Sequence, residues 1–251
     1  MGILLLKKSR KNAKNSSGYR RKLRHWLRDS QVIKKKGYTV TIAGRHKGRI
    51  CRAASELGLE YIIADMTDLD SFKEIASQFQ NHGLDVLVNN AAMAKFIPLD
   101  ELSPSDYLLF FNTNFRGPIE LIRELLPALK KKCGSITNIS SIAVNNGLVN
   151  GSLYAATKGA LEAATRSLAV ELAPKKIRVN AVAPGAIDTP LAAKTGRSKK
   201  ELLQRRAMLE QIIPLQRYGK PEEVAQVACA QLEATYVTGS VWCVDGGVHI
   251  V

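Results

Sequence analysis

YTVTIAGRHKGRICRAASELGLEYIIAD, residues 38–65, is the stretch whose reading decides the fold. Its first seven residues, YTVTIAG (38–44), are rich in β-branched and aromatic side chains and read as a strand. RICRAASELG (49–58) carries apolar residues at helical spacing and closes on Gly58, the residue type that ends helices in a left-handed turn. YIIAD (61–65) is again a strand. Two strands separated by a helix need a crossover connection, which is right-handed and makes neighbouring strands parallel.

The same rhythm continues downstream. The pattern predicts strands at 85–92, 134–141, 177–185 and around 240–247. It predicts helices over 71–83, 104–132 (one or two), 153–174, near 199–213 and over 221–234. The strand cores, such as DVLV, are almost continuously apolar, which suits burial on both faces. With no linker or low-complexity run after residue 37, residues 37–251 read as a single α/β domain. The expectation is a doubly wound, Rossmann-like parallel sheet with helices on both faces, and ligands beyond the carboxyl ends of its strands.

Residues 1–36 are set apart by composition. They hold 13 Lys/Arg and one acid, Asp29, whereas the rest of the chain holds 24 Lys/Arg against 21 acids. The net charge of +15 therefore belongs mainly to this segment. Residues 3–6 form a short apolar run that could be a first strand, and 19–36 could be a first helix with Leu23, Trp26 and Leu27 as a narrow apolar stripe. A basic, acid-poor helix also suits an organelle-targeting segment or contact with anionic lipid or nucleic acid. No base-reading motif or aromatic interleaving accompanies it, which argues against nucleic acid. The apolar run is too short and precedes the basic residues, which argues against a secretory signal, and no stretch reaches membrane-span length. Cys51, Cys133, Cys229 and Cys243 lie far apart, with no paired spacing and only four His. They read as reduced thiols of a cytoplasmic protein, with no metal site.

Chemistry concentrates in NISSIAVNNGLVNGSLYAATK (138–158). Tyr154 and Lys158 are four apart on a predicted helix and share one face. An ammonium beside a phenol favours phenolate and eases proton transfer at the ring oxygen, which points to acid/base work on an alcohol or carbonyl. Two strand ends add to this. Arg45, after the 38–44 strand, can accommodate a ribose 2′-phosphate where an acid would bind a 2′-hydroxyl, or it is a solvated surface residue. Asp65 can accept from an adenine amine, or cap the following helix.

Ser141 followed thirteen residues later by Tyr154 in YAATK resembles the active-site signature of the short-chain dehydrogenases/reductases. The likeness extends in order through VNNAA (88–92), Asn114 in NFRG, NISS (138–141), RVNAVAPGAIDTP (178–190), RYGKPEEVA (217–225) and YVTGSVWCVDGG (236–247). The general likeness is to 3-oxoacyl-acyl-carrier-protein reductases and to sugar or polyol dehydrogenases. The resemblance implies a catalytic group of Asn114, Ser141, Tyr154 and Lys158. Tyr154 would be the general acid or base, and Lys158 would favour its phenolate and hold the nicotinamide ribose. Ser141 would polarise the substrate oxygen, and Asn114, at a helix bend, would anchor a relay water. It also implies cofactor contacts from Asn89 and Ala91 at the adenine ribose, and from Pro184, Gly185, Ile187 and Thr189 at the nicotinamide. With Arg45 the expected cofactor is NADP(H) in preference to NAD(H), and the expected substrate is a small carbonyl or alcohol. The helices holding Asn114 and Tyr154 would form the interface of a homodimer or homotetramer.

One family feature is absent. Relatives begin with a strand, a T-G-x-x-x-G-x-G turn and a helix, whose glycines let backbone amides approach a pyrophosphate. Here Gly18 is the only glycine between residues 3–6 and 19–36, and the intervening loop offers Lys and Arg side chains instead. Three accounts fit this: a shifted reading frame before Gly37, a divergent enzyme, or a catalytically impaired relative acting as a binding or interaction protein. In the variable lid region (192–219), Lys194, Arg197, Lys199, Lys200, Arg205 and Arg206 could attract an acidic substrate or form a solvated helix face.

Overall fold

The computed structural model describes residues 3–8, 37–189 and 198–251. Seven strands form one sheet: β1 (Ile3–Lys8), β2 (Tyr38–Gly44), β3 (Glu60–Ile63), β4 (Val86–Asn89), β5 (Ser135–Ile139), β6 (Arg178–Pro184) and β7 (Val241–Val244). Their spatial order is β3-β2-β1-β4-β5-β6-β7. The principal helices are α1 (Lys47–Leu57), α2 (Leu69–Phe79), α3 (Pro104–Phe111), α4 (Gly117–Lys132), α5 (Ser152–Leu172), α6 (Lys199–Ile212) and α7 (Pro221–Glu233). The expected 19–36 helix lies outside the described residues.

Local signals explain most boundaries. Gly58 ends α1 in the left-handed conformation, with φ of 62°. Asp68 caps α2 by accepting from the Asp70 amide, and Ser103 with Asp106 forms a reciprocal capping box on α3. The predicted 104–132 helix is divided by a π-helical turn at Asn112–Arg116. Pro118 has no N–H to offer the carbonyl four residues earlier, that of Asn114, so the α-helical ladder must open here.

The helices cover both faces of the sheet. Phe72 and Ile75 of α2, Leu121 and Leu125 of α4, and Leu172 of α5 pack with Ile3 and Leu5 in one core cluster. Ala53 of α1, with Val224 and Ala228 of α7, packs with Leu4 and Leu6 in the other. All four β1 leucine and isoleucine side chains are buried, alternating between the two layers.

β1 corrects the expectation of an all-parallel sheet. It fills the central slot but runs antiparallel to both neighbours, with Ile3 opposite Ala43, Lys8 opposite Tyr38 and Leu4 opposite Val88. The other neighbouring pairs are parallel. An uninterrupted apolar run buries equally well in either direction, so ILLL specifies a buried strand without specifying its polarity. Beyond it, the Lys8 amide donates to Asp85 Oδ2 at 2.9 Å. As a result Ile3 lies at the carboxyl edge of the parallel strands, and Lys8 and Tyr38 both lie at the opposite edge.

Candidate active site

β5, β6 and the start of α5 bring together the residues expected to do chemistry. Ser141 lies two residues beyond β5 and its Oγ accepts from the Ala143 amide at 3.2 Å, which starts a short 3-10 turn at Ile142–Val144. Tyr154 sits in the first turn of α5, against Ile97, Phe110, Ala143 and Leu153. The Ser141 hydroxyl lies near its phenol and favours the charged form. Lys158, one turn further along, is 2% exposed and donates from Nζ to the Ile139 carbonyl at 2.6 Å.

Burial sets the proton affinities here. It pushes the Tyr154 phenol up, opposed in part by the nearby Ser141 hydroxyl. The expected drift of Tyr154 toward phenolate is therefore not the larger effect, because loss of water disfavours the charged form more strongly. Lys158 is brought down to about 8, mainly by burial, with the Glu162 carboxylate acting in the opposite direction. Near neutral pH the site thus holds a protonated phenol and an ammonium.

Asn114 lies in the π-helical turn and is fully buried. Its Oδ1 accepts from the Met93 amide at 2.8 Å. Its Nδ2 donates to the Met93 carbonyl at 2.9 Å and to Thr157 Oγ1 at 3.0 Å. The Thr157 hydroxyl donates to the Tyr154 carbonyl at 2.8 Å. Asn114 therefore ties the segment after β4 to the turn of α5 that bears Tyr154 and Lys158.

The expected cofactor residues fall in two groups at the carboxyl edge. Arg45 and Asp65, at the ends of the β2 and β3 segments, approach each other at 3.8 Å and are both partly exposed. Asp65 accepts from the Thr67 amide and hydroxyl, whereas Asp68 is the cap of α2, so the capping alternative for Asp65 does not hold. Pro184 ends β6. At Gly185 a side chain would place Cβ 2.5 Å from Asp245 Cβ, so only glycine allows this approach of β6 to the segment after β7. Ile187 bridges to Gly219, and Thr189 is the last described residue before 190–197. Asn89 and Ala91 are buried, and Asn89 Nδ2 donates to Asn138 Oδ1 at 2.9 Å.

The fit to a nicotinamide dinucleotide is uneven. The Ser141–Tyr154–Lys158 group beside Pro184 and Gly185 suits the nicotinamide end, and Arg45 with Asp65 suits the adenosine end. Between them, at the amino end of β1, the described residues supply no glycine turn leading into a helix. Asn89 Oδ1, next to this gap at the end of β4, is buried and without a hydrogen-bond partner among the described residues. Lys8, which ends β1, and Tyr38, which begins β2, both lie at the opposite edge, and the Gly18 loop lies outside the described residues.

In the lid region, Arg206 is already engaged. It reaches Asp188 at 3.3 Å and Glu210 at 3.0 Å, and lies 4.7 Å from the Tyr218 ring centre. Lys200 is exposed and Arg205 half-buried; Lys194 and Arg197 lie outside the described residues, and the side chain of Lys199 is also outside them. The RYGKPEE motif is structural: Arg217 holds Glu223 at 2.6 Å and brings its carboxyl to about 2, while the Lys220 amide donates to the same group. None of the four cysteines is in a disulfide. Thr157, Ser140 and Glu162 also belong to this site, beyond the residues expected there. Glu162 carried a legible signal, lying four residues beyond Lys158 on the same helix.

A Rossmann-type α/β fold, with a serine just beyond a parallel strand and a buried Tyr–Lys pair on the following helix, fits a class of oxidoreductases. The chain belongs to the short-chain dehydrogenases/reductases. The family model described as enoyl-(acyl carrier protein) reductase matches residues 30–249. A 3-oxoacyl-[acyl-carrier-protein] reductase of Thermotoga maritima is 39% identical over 193 residues, covering 75% of this chain and 76% of the relative. One from Rattus norvegicus is 36% identical over 227 residues, covering 88% and 92%. An actinorhodin polyketide ketoreductase solved with NADPH superposes with a TM-score of 0.83 at 25% identity, covering 91% and 94%. No described helix is long and apolar enough to cross a membrane.

Proposed function

We propose that this protein is an NADP(H)-dependent oxidoreductase that reduces a carbonyl or oxidises the corresponding secondary alcohol, with Tyr154 as general acid or base. The observation that carries the reading is the buried Tyr154 phenol, with the Ser141 hydroxyl near it and the buried Lys158 one helical turn away. When bound, the nicotinamide supplies or accepts the hydride. For reduction, Tyr154 donates its proton to the substrate oxygen, the step for which its raised affinity keeps it loaded. Ser141 donates a hydrogen bond to the same oxygen, and Lys158 provides positive charge where negative charge develops. Asn114 positions both helix residues through Thr157. Asn89, Ala91, Pro184, Gly185, Ile187 and Thr189 would line the cofactor, with Asp65 at the adenine.

Preference for NADP(H) rests on Arg45, followed by Lys47 at the start of α1, a helix with no acid in its first turn. The named relatives include 3-oxoacyl-carrier-protein reductases and a ketoreductase with NADPH, which supports a carbonyl substrate. Assembly as a homodimer or homotetramer is supported by the exposed Tyr107, Leu108 and Leu109 of α3 and Val170 of α5. A cytoplasmic location completes the proposal.

Titration with NADPH, following energy transfer from tryptophan to the reduced nicotinamide, tests the reading. Saturation below millimolar cofactor is expected. Tyr154→Phe should then abolish turnover and leave cofactor affinity nearly unchanged. Absence of saturable binding would favour a relative without turnover, as the missing pyrophosphate cradle would allow.

A further inference from the structure

Glu162 lies outside the catalytic group just described, yet it is 3% exposed in the middle of α5. A buried carboxylate needs partners, and a lone one would be costly. Ser140 Oγ donates to Glu162 Oε1 at 2.7 Å, and Arg166, itself largely exposed, reaches Oε2 at 3.4 Å. Ser140 is also pinned from the other side, since its amide donates to the Val182 carbonyl of β6 at 2.7 Å. Lys158 grips the preceding residue of the same strand end, through the Ile139 carbonyl. Lys158 and Glu162, four apart on one helix face, therefore hold consecutive residues immediately before Ser141.

We propose that Glu162 is a positioning residue for this site: through Ser140 it fixes the strand end that presents Ser141, and one helical turn from Lys158 it sets the surroundings of that amine. The proposal rests on the functional reading above. Two effects follow from one carboxylate. Its hydrogen bond with Ser140 sets where the Ser141 hydroxyl meets the Tyr154 phenol. Its charge offsets part of the desolvation that strips protons from Lys158. The other charged or titratable groups that act with it are Arg166 and Lys158 on the same helix and Cys243 from β7, which Asp245 also faces. Burial, Asp245 and Glu162 together push the Cys243 thiol up, so that thiol stays neutral beside the carboxylate.

Lysine-13C-labelled protein without cofactor gives a readout independent of activity. The Lys158 Cε resonance is assigned by its loss in Lys158→Met, and its titration is followed by NMR. Glu162→Gln, which removes the charge but retains an acceptor for Ser140, should lower the Lys158 midpoint by roughly one unit. It should move the alkaline limb of the kcat/KM profile for reduction down by the same amount. Ser140→Ala should leave the Lys158 midpoint in place and lower kcat/KM at every pH. An unmoved midpoint in Glu162→Gln overturns the proposal. Should that variant fail to fold, Glu162→Asp keeps the charge but not the reach. It should hold the midpoint near wild type and lower kcat/KM, and retention of full kcat/KM would overturn the proposal. If the wild type binds no cofactor, the functional reading fails, while the titration still decides whether Glu162 governs Lys158.

Discussion

Lys158 is the residue at which burial, charge and stability meet. Its ammonium is fully buried, and its affinity falls from 10.5 to about 8 chiefly because water is lost. A depressed lysine is a cost that the folded state bears while the group is protonated. The folded protein holds fewer protons than the unfolded chain between about pH 8 and 10.5, so this group makes stability rise with pH across that window. Lys158→Met removes the titration. Denaturant unfolding of both proteins from pH 7 to 10.5 should show the difference shifting toward the wild type by roughly 3 kcal/mol, most of it above pH 8. A constant difference would mean that Lys158 titrates alike in both states. Arg45 offers a second test at this scale. Arg45→Glu should weaken NADPH at least tenfold relative to NADH in parallel titrations, because a carboxylate repels the 2′-phosphate and accepts from a 2′-hydroxyl. An unchanged ratio would return Arg45 to a solvated surface role.

At the scale of elements, the end of β6 is held by contacts that leave no space for a side chain. Gly185→Ala would force Cβ to within 2.8 Å of the Asp245 Cα, a backbone atom that cannot rotate away. The expected cost is about 1–3 kcal/mol of stability with weaker cofactor binding, measured by thermal unfolding and by the NADPH titration. Wild-type values for both would show that β7 yields. The elements themselves were largely legible. The strand 38–44 and helix 49–58 appear as β2 and α1, Gly58 supplies the left-handed cap, and the 104–132 pattern resolves into α3 and α4. Its break at Asn112–Arg116 has a local cause in Pro118, although apolar periodicity passes through it without a mark. The strand direction of β1 was not legible, since four consecutive apolar residues satisfy two buried faces whichever way they run.

For the whole molecule, the reversed β1 changes what sits at the centre of the carboxyl edge. The sheet order is complete, yet the place where a glycine turn would meet a pyrophosphate is approached by the amino end of a strand. Both anchors of the basic segment, Lys8 and Tyr38, lie at the far edge. Assembly is the property most open to test at this scale. Tyr107→Glu with Leu108→Glu places charges on an exposed apolar face of α3, outside the catalytic group. Light scattering should report an oligomer for the wild type and a smaller species for the variant. A monomeric wild type would remove the proposed interface.

The amino-acid sequence by itself determined the alternation of strands and helices, their caps, and the pairing of Tyr154 with Lys158. Those depend on period, local hydrogen bonding and spacing within one helix. Only the tertiary structure decided the direction of β1, the partners of Asn114, the bond between Ser140 and Glu162, and the raised proton affinity of Tyr154. Each of these depends on which distant residues are brought together and on how much water they exclude, quantities that no local spacing contains.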